Sequence, residues 1–304
     1  MAIIFVYFTE KTFIGVTEMF HVFRLKKRIA AAAGALLAAA VVFCTGAAPT
    51  PGEQRAAKAV TVIMYHGLVE DSSKQNRYMI DPSRFEEDLE YLTGSGCHTI
   101  FISELIDSVE NGTPLPEKPV ILTFDDGYLN NYRYAFPLLK KYDCKAVISP
   151  IAGAVEKAES EEYRSGDYSQ CRWEELREMC DSGLVELENH TYDLHSINGS
   201  IQGAERLWGE SDAEYEKRLH DDLLKANEMI REKTGRAPSA LTLPFGAGGS
   251  DAVRVARKLG FRAVLDCEEK TGSFGSTDDL FHIHRYLRPN DMSSEEFFRH
   301  KGVL

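Results

Sequence analysis

Two neighbouring aspartates, Asp125 and Asp126, and two histidines, His190 and His195, are the residues whose types and spacing best suit metal binding and acid–base chemistry. Adjacent carboxylates repel one another, so a fold that buries both must give them different roles. A cation bound by one of them removes the conflict, and the other is then able to act as a base. Taken alone, the run Asp-Asp-Gly that ends at Gly127 is equally typical of a solvated turn.

The two histidines are five residues apart. On a helix this spacing separates the side chains by about 140°, which suits a single ion poorly, whereas a strand-to-loop turn brings both rings to one site. Together with Asp126 they would form a two-histidine, one-aspartate set with open positions for water and substrate. A histidine pair in a loop is more often polar surface, so this interpretation depends on the aspartates.

The predicted elements that position these residues alternate between strand and helix. Strands are expected over 60–64, 120–124, 184–188 and 240–243, and they are followed directly by His66, Asp125, His190 and Pro244. The alternation indicates a parallel α/β barrel or a doubly wound sheet. A closed barrel would gather the polar residues on one face, where barrel enzymes keep their chemistry, so the barrel is favoured.

Apolar periodicity and end signals predict the helices. The clearest is 212–233, and Asp81 or Ser83 is expected to cap another that carries Phe85, Leu89 and Leu92. Further predicted elements are helices over 103–110, 128–142, 173–180 and 253–259, a helix capped by Ser293, strands over 99–101, 146–149, 262–265 and 281–284, and an exposed charged loop over 156–167.

The N-terminal 48 residues differ from the rest. Basic residues at 24–28 precede an apolar, alanine-rich run over 29–48, which predicts a secretory signal or a single membrane anchor. Residues 1–18 are unusual for the start of a signal sequence, and we interpret them as an artefact of a misassigned translation start, with Met19 as the conventional one. Residues 49–59 are a predicted linker, and 60–304 a predicted catalytic domain. We therefore expect export, either to the extracellular space or to the outer face of a bacterial cytoplasmic membrane, with membrane contact if the leader is uncleaved.

The charge and the cysteine content restrict the partners and the cross-links that the chain is expected to have. The formal net charge is −12 over 304 residues, and no basic stripe occurs beyond the N-terminus, which argues against a nucleic-acid partner. The six cysteines have no C-x-x-C or zinc-ribbon spacing, so no disulfide is predicted. The oligomeric state is left open.

The motif Thr-Phe-Asp-Asp-Gly over 123–127, combined with the His190 and His195 spacing, resembles that of the polysaccharide deacetylases of the NodB-homology type, also called carbohydrate esterase family 4. The resemblance covers nearly everything after Val60, and Tyr65-His66 makes it most similar to the branch that deacetylates poly-N-acetylglucosamine. It implies a distorted (β/α) barrel. It also implies a metal-dependent hydrolase that removes N-acetyl groups from a GlcNAc-containing polysaccharide of the cell surface or cell wall.

The resemblance also implies residue roles. Asp126, His190 and His195 would bind a divalent metal, with zinc expected, and Asp125 would be the general base toward the attacking water. The backbone N–H of Tyr128 would help to hold the oxyanion.

The proton donor and the sugar site are less firmly implied. His66 would protonate the departing amine, with His284 as the second choice, although a strand-end histidine is also a common structural residue. Tyr192, Pro244 and Phe245 are candidate substrate-binding residues, although aromatic side chains at such positions are as often core.

The chain departs from the family pattern at Thr242, where many members have an arginine that orients the base. Asp125 would then either be held by another cation, with Arg285 as the candidate, or not be held well. Two other functions stay open: an O-acetyl carbohydrate esterase, which uses the same chemistry on a different leaving group, and a glycan-binding surface protein on a decayed enzyme scaffold.

Overall fold

The computed structural model describes residues 57–162, 164 and 166–300. The chain divides into two compact units, Met1–Gln54 and Arg55–Leu304, and the described residues all belong to the second. The predicted leader over 1–48 lies outside the described residues, as does most of the linker over 49–59. Within the described part, none of the helices combines the length and apolar character needed to cross a membrane.

Parallel strands form the centre of the fold, as the alternating pattern predicts. The strands are β1 (Lys58–Tyr65), β2 (Gly67–Leu68), β3 (Met79–Ile80), β4 (His98–Thr99), β5 (Pro119–Asp126), β6 (Ala146–Pro150), β7 (Val185–Leu187), β8 (Ile197–Asn198), β9 (Ile201–Gln202), β10 (Ala240–Thr242), β11 (Ala263–Leu265), β12 (Gly272–Phe274) and β13 (Tyr286–Leu287). β1 pairs in parallel with β5, β5 with β6, and β6 with β7.

Single bridges complete the ring of strands. Asn189, just beyond β7, bridges to Leu241 of β10, and Leu265 of β11 bridges to Ile283. β10 and β11 pair in parallel, and β13 returns to pair with β1. The strands therefore close into a distorted (β/α) barrel, which confirms the predicted fold class.

Helices cover the barrel. They are α1 (Pro82–Gly94), α2 (Ile102–Asn111), α3 (Phe136–Tyr142), α4 (Ala152–Ala158), α5 (Trp173–Asp181), α6 (Asp212–Thr234), α7 (Gly249–Lys258) and α8 (Ser294–His300). Along β5 the side chains alternate between two hydrophobic clusters, with Leu122 and Phe124 in one and Ile121 in the other. The sheet is thus buried on both faces, as parallel sheets require.

The segment predicted as one helix over 128–142 begins differently. A π-helix spans Asn131–Ala135, and α3 follows it. Pro137 explains the change, because it has no N–H and its ring would clash with the carbonyl four residues earlier in a regular helix. The wider π turn, in which the Phe136 N–H donates to the Asn131 carbonyl, relieves that clash.

Two other predicted boundaries are wrong. The loop predicted over 156–167 begins inside α4, because Ala152, Val155 and Ala158 form a small apolar face that packs inward. The strand predicted over 281–284 is instead a 3-10 turn over Asp279–Phe281, followed by the single bridge at Ile283. Both segments are too short for their hydrophobic periodicity to identify the type of element from the sequence.

A glycine makes the turn after β5 possible. Gly127 has a φ of +76°, and a Cβ there would lie 2.7 Å from the Cβ of Pro150. Gly183 has nearly the same φ, +77°, but open space around it. We expect Gly127→Ala to destabilise the fold by more than Gly183→Ala, which carries only the strain of about 1–2 kcal/mol for a left-handed L-residue. Equal losses in urea unfolding would show that the contact with Pro150 contributes nothing.

Candidate active site

Of the five non-glycine residues with left-handed backbones in the described part of the chain, three line the cavity at the C-terminal ends of the strands or directly follow a residue that lines it. They are Asp126 (φ 71°), Thr191 (φ 70°) and Phe245 (φ 59°). Such conformations cost an L-residue about 1–3 kcal/mol each and persist where the surrounding structure fixes them. The Asn189 side-chain oxygen fixes one of them by accepting the Thr191 N–H at 2.6 Å. The strain is therefore concentrated where the predicted chemistry lies.

The predicted ligands converge. The Nε2 atoms of His190 and His195 lie 3.5 and 3.3 Å from Oδ1 of Asp126, and one ligand atom from each residue lies within 4.8 Å of the others. His190 is oriented by the carbonyl of Thr242, which accepts from its Nδ1 at 2.8 Å. Because a carbonyl only accepts, Nδ1 carries the proton and Nε2 presents its lone pair to the site in the neutral ring.

A buried atom without a partner indicates what this cluster is built for. Oδ1 of Asp126 is buried and accepts no hydrogen bond from the described residues. Burial raises the pKa of Asp126, but His190, His66 and His195 outweigh it and hold that pKa well below its ordinary value. An ionised, unsatisfied oxygen facing two imidazoles fits a divalent cation such as zinc.

The second aspartate has a different partner. Arg285 donates to both carboxylate oxygens of Asp125, at 2.7 and 2.9 Å, and both side chains are almost completely buried. Burial raises the pKa of Asp125, but Arg285 and His190 bring it below its ordinary value. Arg285 is itself fixed by the carbonyl of Asp266, which accepts from its Nε at 2.9 Å. The prediction that Arg285 holds Asp125 is confirmed.

Thr242, which stands where many family members have the arginine, contacts Ser149 and His190. Its hydroxyl meets that of Ser149 at 2.8 Å, and its carbonyl orients His190. The guanidinium that many family members place at this position reaches Asp125 in this chain from Arg285, near the C-terminus. With Thr242 at the position of that arginine, the cation that contacts Asp125 is therefore supplied by Arg285, from another part of the sequence.

The two candidate proton donors occupy different places. His66 lines the cavity together with Asp125 and Asp126, and its Nδ1 is buried without a partner among the described residues. Burial lowers its pKa, and Arg285 and His190 add to this effect, so that its pKa lies below the ordinary value although the two aspartates raise it. His284 instead contacts Asp266 at 3.0 Å and Glu268 at 3.6 Å, and does not line the cavity. The geometry favours His66.

The backbone N–H of Tyr128, close after the two aspartates, donates no backbone hydrogen bond within the described residues. Tyr128 bridges to Gln170, but the hydrogen bonds of this bridge are donated by Leu129 and Cys171. The Tyr128 side chain lines the cavity, and burial together with Asp126 raises its pKa, so its hydroxyl stays protonated. The position suits the predicted oxyanion role of the Tyr128 N–H.

Of the three predicted substrate residues, only one lines the cavity. Phe245 packs on His195 with ring centroids 4.5 Å apart and is 38% exposed. Pro244 is buried and does not line the cavity. Tyr192 faces elsewhere, because its hydroxyl donates to Glu156 at 2.6 Å and Lys225 lies over its ring.

Two aromatic residues that line the cavity, Tyr78 and Tyr168, were not predicted from the sequence. Tyr78 packs edge-on against His66, with ring centroids 4.8 Å apart, and Tyr168 contacts Tyr128 in the same way at 5.6 Å. Both line the cavity, and they are 48% and 60% exposed. They lie in loops far from the motifs, and their only signal is an aromatic side chain in a polar stretch.

Comparison with known proteins places the chain in a family. Residues 112–264, half of the chain, match the polysaccharide deacetylase family. The chain is 30% identical over 253 residues to poly-β-1,6-N-acetyl-D-glucosamine N-deacetylase of Escherichia coli K12, covering 77% of this chain and 37% of that protein. It therefore spans little more than a third of that relative.

Two further similarities cover their counterparts more fully. The Staphylococcus aureus N315 protein of the same name is 28% identical over 230 residues, covering 75% of this chain and 73% of that protein. A solved structure of a de-N-acetylase from Aggregatibacter actinomycetemcomitans superposes with a TM-score of 0.70 at 25% identity, covering 81% of this chain and all of that one. The fold, the strand-end residues and these matches agree, and the chain belongs to the polysaccharide deacetylase family.

Proposed function

We propose that this protein is a metal-dependent hydrolase that removes N-acetyl groups from a GlcNAc-containing polysaccharide, with β-1,6-linked poly-N-acetylglucosamine as the first candidate. The observation that carries the proposal is an ionised, arginine-held Asp125 beside the Asp126, His190 and His195 cluster in one open cavity. The names of the relatives from E. coli and S. aureus support the choice of polymer.

The residues present fit a catalytic metal. A divalent cation held by Asp126, His190 and His195, with zinc expected, would polarise the acetamide carbonyl and lower the pKa of a water from 15.7 toward about 7. Asp125 accepts the proton of the attacking water, and Arg285 keeps its carboxylate ionised and aimed. The Tyr128 N–H donates to the charge that develops on the carbonyl oxygen.

Collapse of the tetrahedral carbon needs a proton on the leaving nitrogen. His66 supplies it, because it lines the cavity beside Asp125 and Asp126. We expect His66→Gln to lower kcat by about 10²- to 10⁴-fold, the usual contribution of a general acid, and to keep metal binding. His284→Gln is the matched control and should retain most activity. The reverse ranking in steady-state acetate release would assign the acid to His284.

The deciding experiment is acetate release from β-1,6-linked N-acetylglucosamine oligomers by metal-stripped protein, before and after reloading with zinc. Zinc-dependent release supports the deacetylase. Release from O-acetylated polymers only would establish the esterase instead. Saturable glycan binding with no acetate release from either substrate would indicate a binding protein, although its main support, Thr242, weakens once Arg285 supplies the missing cation.

We also propose that the protein is exported. The basic residues at 24–28 and the apolar run over 29–48 support this location. Cell fractionation, with N-terminal sequencing of the mature chain, would separate a cleaved signal from a retained anchor. A cytoplasmic protein with residues 1–48 intact would contradict export.

A further inference from the structure

A second cavity lies beside the active-site cavity. Its volume is about 590 Å³, compared with about 570 Å³ for the active-site cavity. Both volumes fall within the range of roughly 300–1,000 Å³ found for small-molecule sites. Arg77, Glu269 and Leu287 line both cavities. The two spaces therefore share a boundary, and a chain that leaves the active site past these residues enters the second cavity.

The walls of the second cavity are fixed by buried and bridging contacts. On its rim, the Asn290 side chain donates to that of Gln75 at 2.7 Å, which joins the two loops that face each other. Behind it, the fully buried Arg288 donates to the carbonyl of Met292 at 3.0 Å and pairs with the buried Asp88 at 2.9 Å. A preformed cavity loses little entropy when a ligand enters.

The lining combines an apolar surface with two charged side chains. Leu287, Pro289 and Met292 provide the apolar part. Arg77 and Asp291 are exposed, and neither makes a hydrogen bond or an ion pair with another residue in the described part of the chain. A sugar ring has apolar C–H faces and an edge of hydroxyl groups. The surface therefore suits a pyranose, with hydroxyl or acetamide groups bonded to the charged side chains.

We propose that the second cavity is a saccharide subsite, which binds a sugar unit of the polymer beyond the disaccharide that the active-site cavity holds. The inference rests on the proposed function for the identity of the polymer. Its geometric basis is the shared boundary at Arg77, Glu269 and Leu287. Only a longer chain reaches both cavities, so the subsite adds affinity for long oligomers and little for short ones.

The test is calorimetric binding of β-1,6-linked N-acetylglucosamine disaccharide and hexasaccharide to the zinc-loaded protein. Asp291→Arg fills the second cavity and reverses its charge, and Glu228→Arg on the exposed face of α6 is the matched control. We expect the wild-type protein to bind the hexasaccharide at least about tenfold more tightly than the disaccharide. Asp291→Arg should remove about tenfold of this ratio, as loss of a charge-assisted hydrogen bond would, and the control should not.

The outcomes test the subsite and the proposed function separately. An unchanged ratio in Asp291→Arg, or a wild-type protein that binds both oligomers equally, would overturn the subsite. Acetate release from the same oligomers, measured in parallel, reports on the proposed function alone. A reduced ratio without acetate release would keep the subsite and refute the deacetylase, and failure of both oligomers to bind would overturn the subsite.

Discussion

Asp126→Ala is expected to abolish metal binding and acetate release together. Asp126 supplies the only carboxylate of the ligand cluster, and its unsatisfied Oδ1 faces both His190 and His195. Loss of an outer-sphere partner already costs 10- to 100-fold in metal affinity, so loss of a ligand should cost more than about 100-fold. Zinc content after dialysis and acetate release from N-acetylglucosamine oligomers measure the two effects.

Asp125→Asn is the matched control for that variant, because it changes the neighbouring carboxylate and nearly preserves its shape. It should keep zinc and lose about 10²- to 10⁴-fold in kcat, since an amide is not a base at neutral pH. Full activity in either variant would refute the division of roles between the two aspartates. Loss of zinc in Asp125→Asn would place both carboxylates in the metal site.

Two buried arginines near the C-terminus provide an unusually clean comparison. Arg285 pairs with Asp125 in the active site, and Arg288 pairs with Asp88 away from it. All four side chains are nearly inaccessible to solvent. Removing either guanidinium leaves a buried carboxylate without its partner, which typically costs about 3–5 kcal/mol. We expect Arg285→Met and Arg288→Met to lower the free energy of unfolding to a similar extent.

Their effects on catalysis should differ. Arg285→Met should lower kcat by about 10- to 100-fold in the fraction that is folded, because Asp125 loses both its orientation and its ionising charge. Arg288→Met should leave kcat of the folded fraction unchanged. If Arg285→Met does not fold, Arg285→Lys keeps the charge but loses the two-point contact, and it should show a smaller kcat loss. Equal kcat losses in the two arginine variants would mean that Arg285 acts only through stability.

Several features of the site could be predicted because they depend on short stretches of chain. The apolar run that forms β5 ends at Asp125 and Asp126, and a strand end fixes the position of the residues that follow it. The pair His190 and His195 follows β7 in the same way. In a parallel barrel all such ends meet on one face, so local pattern and fold class together sufficed to predict the cluster that the structure shows.

Helix boundaries were less accessible to sequence reasoning. The π turn before α3 depends on how Pro137 competes with regular helical hydrogen bonds, and the short helix α4 has only three inward-facing apolar residues. Ile283 makes a single bridge where a strand was predicted, and regular strand pairing resumes only at β13, directly after Arg285.

The sequence by itself indicated the alternating α/β class, with the barrel favoured over a doubly wound sheet, and it contained the motifs of Asp126, His190 and His195 by which the family was predicted. These features depend on residue types at short spacings. Only the tertiary structure decided that Arg285 holds Asp125 across 160 residues, that His66 and not His284 lines the cavity, and that Tyr192 faces away. The physical reason is that side-chain direction and long-range pairing are set by packing around the closed barrel. No local pattern encodes which of two buried arginines reaches which aspartate.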